Sequence, residues 1–95
     1  MRESQIERYL VKRVKEMKGL CLKINSTSMG GLPDRMVLLP GGKIIFLELK
    51  ASGCKARPRQ LAVMRKLSVL GFPTFVADST LLVDNILKKA DSDEI

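Results

Sequence analysis

The run Ile44-Ile45-Phe46-Leu47-Glu48-Leu49-Lys50 constrains the fold more than any other stretch of this chain. Strand side chains point alternately to the two faces of a sheet, and Ile44 through Leu47 are apolar without alternation. Both faces of this strand must therefore be covered, which makes it central in a sheet with a helix on each side. The run then ends in opposite charges. Glu48 and Lys50 share one face, roughly 7 Å apart along the strand. Idle charges at the end of a central strand are costly, so a task for them is expected.

The rest of the chain supplies the covering elements. Residues 4–18 read as a helix, with Ile6, Leu10, Val14 and Met17 at helical spacing and Gly19 at the position of a C-terminal glycine cap. Residues 20–24 alternate Leu20, Leu22 and Ile24 against Cys21 and Lys23, the pattern of a half-buried strand. A polar, glycine-rich loop follows over residues 25–33. Residues 35–39 and 43–50 form a hairpin around Pro40-Gly41-Gly42. After a basic loop at 52–57, Pro58 opens a second helix that stops at Gly71. Residues 72–77 are a short strand. Asp78 or Ser79 caps a third helix whose apolar face is Leu82, Val83, Ile86 and Leu87. The fold class is α/β: a single domain over residues 1–95, with its core at about 4–90 and a frayed tail at 91–95. The element order α-β-β-β-α-β-α gives a mixed central sheet flanked by helices.

The hairpin decides which side chains meet. A two-residue turn at Gly41-Gly42 would set Asp34 opposite Leu49, pointing away from Glu48. A three-residue loop, Pro40-Gly41-Gly42 with Gly42 left-handed, sets Asp34 opposite Glu48. Gly42 suits the second, which is the expected register. Opposed Cβ atoms are about 5 Å apart, so both carboxylates would reach one cation. Two carboxylates and an ammonium are the minimum for holding a divalent ion and breaking a phosphodiester bond.

Charge points to the same partner. The net charge is +7. Between Glu48 and Asp78 the sequence has no acid but carries Lys50, Lys55, Arg57, Arg59, Arg65 and Lys66. The first 23 residues add Arg2, Arg8, Lys12, Arg13, Lys15, Lys18 and Lys23. A polyanion is the expected partner, most commonly nucleic acid. Histidine is absent, which removes imidazole as base, nucleophile or ligand and leaves carboxylates, lysine and a hard metal. Tyr9 reads as packing, and the low aromatic content argues against a base-stacking platform. No apolar run approaches the roughly 20 residues of a spanning helix, and no secretion signal is visible. Cys21 and Cys54 are then expected as free thiols and the address as cytoplasmic, in a bacterial or phage-infected host cell.

Pro33-Asp34 followed by Glu48-Leu49-Lys50 resembles the signature of the PD-(D/E)XK nuclease superfamily, which has a restriction-endonuclease-like core. With Glu7 on the first helix, Gly31-Leu32-Pro33-Asp34 and Gln60 on the second helix, the pattern is similar to the small VRR-NUC (virus-type replication–repair nuclease) domains. The resemblance spans roughly residues 4 to 77. It implies a Mg²⁺- or Mn²⁺-dependent endonuclease with Asp34, Glu48 and the Leu49 backbone carbonyl as metal ligands. Lys50 would hold the attacking water or stabilise phosphorane charge. Glu7 would complete the metal shell or bind a second ion, or else close a capping box on Ser4. Gln60 would orient Lys50 or a phosphate, or be merely exposed. Lys55, Arg57 and Arg59 read as phosphate contacts, and Gly30 and Gly31 as a hinge or a close approach to DNA. The implied substrate is branched DNA, as for a Holliday-junction resolvase, cut by a homodimer; the apolar content near residues 72–87 makes that stretch the expected pairing surface. The alternatives are a nuclease-fold DNA-binding module that cleaves nothing, or a subunit of a larger replication or restriction assembly.

Overall fold

The computed structural model describes residues 1–25 and 28–92. Its elements run α1 (Glu3–Glu16), β1 (Leu20–Lys23), β2 (Arg35–Leu39), β3 (Lys43–Leu49), α2 (Pro58–Val69), β4 (Thr74–Ala77) and α3 (Thr80–Asp91). The order is the α-β-β-β-α-β-α read from the sequence. Residues 93–95 of the expected frayed tail lie outside the described residues. Asp91 still belongs to α3, and Ser92 is its C-cap. The strands form one sheet in the order β1-β2-β3-β4, antiparallel except for the parallel pair β3–β4.

The hairpin takes the three-residue loop. Leu39 pairs with Lys43 and Arg35 with Leu47. Gly41 and Gly42 both have positive φ, +89° and +79°, a region glycine enters without steric cost.

Odd- and even-numbered residues of β2 and β3 take opposite faces. Val37, Leu39, Ile45, Leu47 and Leu49 join Ile6, Leu10 and Val14 of α1 and Val83, Ile86 and Leu87 of α3 in the core. Met36, Leu38, Ile44, Phe46 and Glu48 face the other way, towards α2, whose buried residues are Val63 and Met64. α2 covers only the β3–β4 half of that face. β1 therefore turns over relative to expectation. Its leucines lie on the open half, Leu20 at 60% and Leu22 at 40% exposure, while Cys21 packs against the core. The alternation in β1 was legible. Which face was covered was not, because that depends on how far a single twelve-residue helix reaches.

Two helix ends also differ from expectation. α1 is capped at Arg2, whose amide donates to Gln5 Oε1 at 2.8 Å, so Ser4 and Glu7 form no capping box. At its other end Lys18, not Gly19, takes the left-handed conformation, with φ 66°. Gly19 is required for space instead: a Cβ there would stand 2.5 Å from the Leu38 carbonyl oxygen. Ser79 caps α3, its Oγ accepting from the Leu82 amide at 3.1 Å. Both cysteines are free. Tyr9 packs against the core and donates its hydroxyl to Asp84, tying α1 to α3. No helix among the described residues is long and apolar enough to cross a membrane.

Candidate active site

The site lies on the α2-facing side of the sheet, where β3 ends. One step beyond the β2 register, Asp34 stands opposite Glu48. Its backbone carbonyl accepts from the Ile24 amide at 2.9 Å, which keeps it tied to the β1 side. Its Oδ2 accepts the Leu49 amide at 2.9 Å, so the side chain continues the pairing where β2 itself stops. Glu48 and Lys50 share a face, as alternation requires, and Lys50 Nζ sits 3.0 Å from Glu48 Oε2.

Gln60 completes the arrangement, and with a different partner from the one expected. Its Nε2 donates to Glu48 Oε2 at 2.8 Å, while its Oε1 accepts the Arg57 amide at 2.8 Å. One amide group thus closes the first turn of α2 and holds the carboxylate. Lys50 meets that same carboxylate oxygen from the other side.

Glu48 is 2% exposed, and its second oxygen, Oε1, is buried without a hydrogen-bond partner among the described residues. A buried unsatisfied acceptor costs about 1–3 kcal/mol, more for a charged group. Burial raises the pKa of Glu48 above its ordinary 4.5. The Lys50 hydrogen bond pulls it down, the nearby Asp34 charge pushes it up, and the Gln60 bond pulls it down again. A hard cation would satisfy such an oxygen. Carboxylates and a main-chain carbonyl are the hard donors that Mg²⁺ or Mn²⁺ takes, so Asp34, Glu48 and the Leu49 carbonyl fit such an ion chemically.

Glu7 is placed elsewhere. Its Oε2 is 3.2 Å from Arg35 Nη2, and Arg35, as an odd residue of β2, faces α1. No three acidic, cysteine or histidine residues among those described group closely enough to hold a metal. Arg35 is the neighbour that the sequence reading missed. Its parity, opposite to that of Asp34, was the available signal that it would meet the first helix.

Lys55, Arg57 and Arg59 are exposed around the start of α2. The loop carrying Lys55 is anchored, with the Gly53 amide on Asp78 Oδ2 at 3.1 Å and the Ser52 amide on the Met1 carbonyl at 3.0 Å. Gly30 and Gly31 make a close approach, but to α2. A Cβ on Gly30 would meet the Arg59 guanidinium at 3.0 Å. One on Gly31, whose φ is +84°, would meet the Arg59 carbonyl at 3.0 Å. The two glycines let the segment that leads into Asp34 lie against the helix bearing Gln60.

No family model matches the chain. A phage protein named "Putative nuclease p44", from Acyrthosiphon pisum secondary endosymbiont phage 1, is 46% identical over 79 residues, covering 83% of this chain and 85% of that protein. A solved structure described as a VRR_NUC domain matches with a TM-score of 0.84 and 31% identity, over 90% of this chain and 94% of that one.

Proposed function

The chain belongs to the VRR-NUC family, and from that premise we propose that it is a metal-dependent endonuclease hydrolysing phosphodiester bonds in branched DNA. The observation that carries the metal dependence is Glu48 Oε1, a buried acceptor with no donor among the described residues, beside a second carboxylate. Asp34, Glu48 and the Leu49 carbonyl would hold Mg²⁺ or Mn²⁺. The ion, when bound, supplies polarisation of the phosphate and a more acidic water.

The remaining work falls to the chain's own groups. Lys50 stays close to Glu48 and offers ammonium hydrogens to the attacking water or to a phosphate oxygen as negative charge grows there. Gln60 is a positioning residue: with one Glu48 oxygen occupied by Gln60 and Lys50, the other is left for the ion. The start of α2 presents its positive dipole end together with Arg57 and Arg59, a natural seat for phosphate. Lys55, Arg57 and Arg59 bind backbone phosphates on either side of the cut. Glu7 enters the metal shell only by leaving Arg35.

Two such sites in a symmetric homodimer match a four-way junction, which is itself two-fold symmetric. Near residues 72–87, Val83, Ile86 and Leu87 are spent in the core, while Phe72, Leu81 and Leu82 stay exposed. The open half of the α2-side face, with Leu20 and Leu22, is the surface we assign to the second copy. In a chain of net charge +7, two copies meet at least electrostatic cost through uncharged surface.

The test is a labelled four-way junction incubated with Mg²⁺, with Mn²⁺ or with chelator. Cleavage is expected only with metal, and is abolished in Asp34→Asn, Glu48→Gln and Lys50→Ala while binding persists. Gln60→Ala should lower cleavage by roughly 10- to 100-fold through weaker metal affinity, as loss of a ligand's supporting hydrogen bond does. Activity surviving the first three changes would overturn the site. Binding without scission under any metal would instead identify a DNA-binding module.

A further inference from the structure

Arg8, Lys12 and Lys15 lie four and three residues apart on α1, all exposed, which puts them in one row along the helix. Ile6, Leu10 and Val14 bury the opposite side. Of the cations beside this row, Arg13 is engaged by Asp84 and Glu16, and Arg35 by Glu7. Arg8, Lys12 and Lys15 form no ion pair with an acid among the described residues.

The row has the dimensions of a DNA backbone. From Arg8 to Lys15 the helix rises roughly 10 Å. One strand of B-DNA presents a phosphate about every 3.4 Å along its axis, so the row spans about three. It also lies away from the site. α1 packs on the odd-residue face of the sheet, whereas Asp34, Glu48 and Lys50 belong to the even face. The molecule measures 22 Å in its thinnest dimension. A straight duplex seated at the site cannot also lie along α1.

We propose that the Arg8–Lys12–Lys15 row is a second DNA-backbone surface, which takes a different duplex arm from the one being cut. The proposal rests on the branched-DNA reading above and gives it a physical basis: two duplex segments are bound on two faces of one thin protein. The α2 face holds the scissile strand, and the α1 row counts phosphates without reading sequence.

The experiment measures binding of a four-way junction and of a linear duplex across a range of salt, in chelator so that nothing is cut. The protein is compared with the triple variant Arg8→Gln, Lys12→Gln, Lys15→Gln. Glutamine keeps helix propensity close to that of the residues replaced, and an unchanged thermal midpoint checks the fold. Junction affinity is expected to fall at least about tenfold, and its log–log salt slope by roughly 2 to 3 per protomer. Linear-duplex affinity is expected to change by no more than about twofold, since that substrate keeps the α2 face to itself. An unchanged junction slope would overturn the proposal. So would an equal loss on linear DNA, which would make the row a general electrostatic attractor. Because no cleavage is read, a failure of the metal site in the earlier test leaves this result interpretable.

Discussion

At the scale of single residues, Glu48 concentrates the tension between stability and activity. Its folded pKa is raised, first by burial, above the ordinary value of 4.5. The folded protein therefore holds this proton more tightly than the unfolded chain does. The contribution of Glu48 to stability is most favourable below pH 4.5 and is lost as pH rises through the raised value. Without metal, Glu48→Gln should melt at a higher temperature than the unaltered protein at pH 8, and the gap should close near pH 4. Thermal melts in chelator at the two pH values check this. A variant that melts lower at pH 8 would mean that the Lys50 pair outweighs the burial cost. The meeting of Asp34 and Glu48 was legible in the sequence because Gly42 settled the loop length. The bond from Gln60 to Glu48 was not, since it depends on where α2 docks rather than on the strand register.

At the scale of elements, the order was readable from periodicity and glycine placement, while the roles of individual glycines were not. Gly19 looked like a cap and proves to be a spacer against β2; Gly31 looked like a hinge and proves to be a spacer against α2. Sequence shows that a glycine is present but not which backbone passes beside it. Gly31 bears directly on the site. An alanine there meets both a left-handed φ, worth roughly 1–2 kcal/mol, and the Arg59 carbonyl. Gly31→Ala should therefore lower stability by about 2 kcal/mol and reduce cleavage by shifting Gln60 away from Glu48. Denaturant unfolding and junction cleavage measure the two effects. Full activity in a clearly destabilised variant would show that the glycine loop does not position α2.

For the whole molecule, the uneven cover of the sheet is the main departure from what the central strand implied. β3 is apolar on both faces, and one helix was expected on each. α2 is too short to cover four strands, and Leu20, Leu22, Val69 and Leu70 are left in solvent. If a second copy covers this surface, Leu20→Glu and Leu22→Glu should each shift sedimentation from dimer towards monomer. The variants should then nick junctions one strand at a time rather than cut both strands together. Dimers that persist in both variants would move the interface elsewhere.

The doubly bonded Gln60 has a further consequence. The same side chain that steadies Glu48 also latches the Arg57 amide, so the first turn of α2 and the carboxylate cannot loosen independently. On the proposed function, DNA that pulls on Arg57 or Arg59 would strain this latch and pass the strain to the Glu48 carboxylate. Substrate engagement and metal poise would thereby be linked through a single carboxamide.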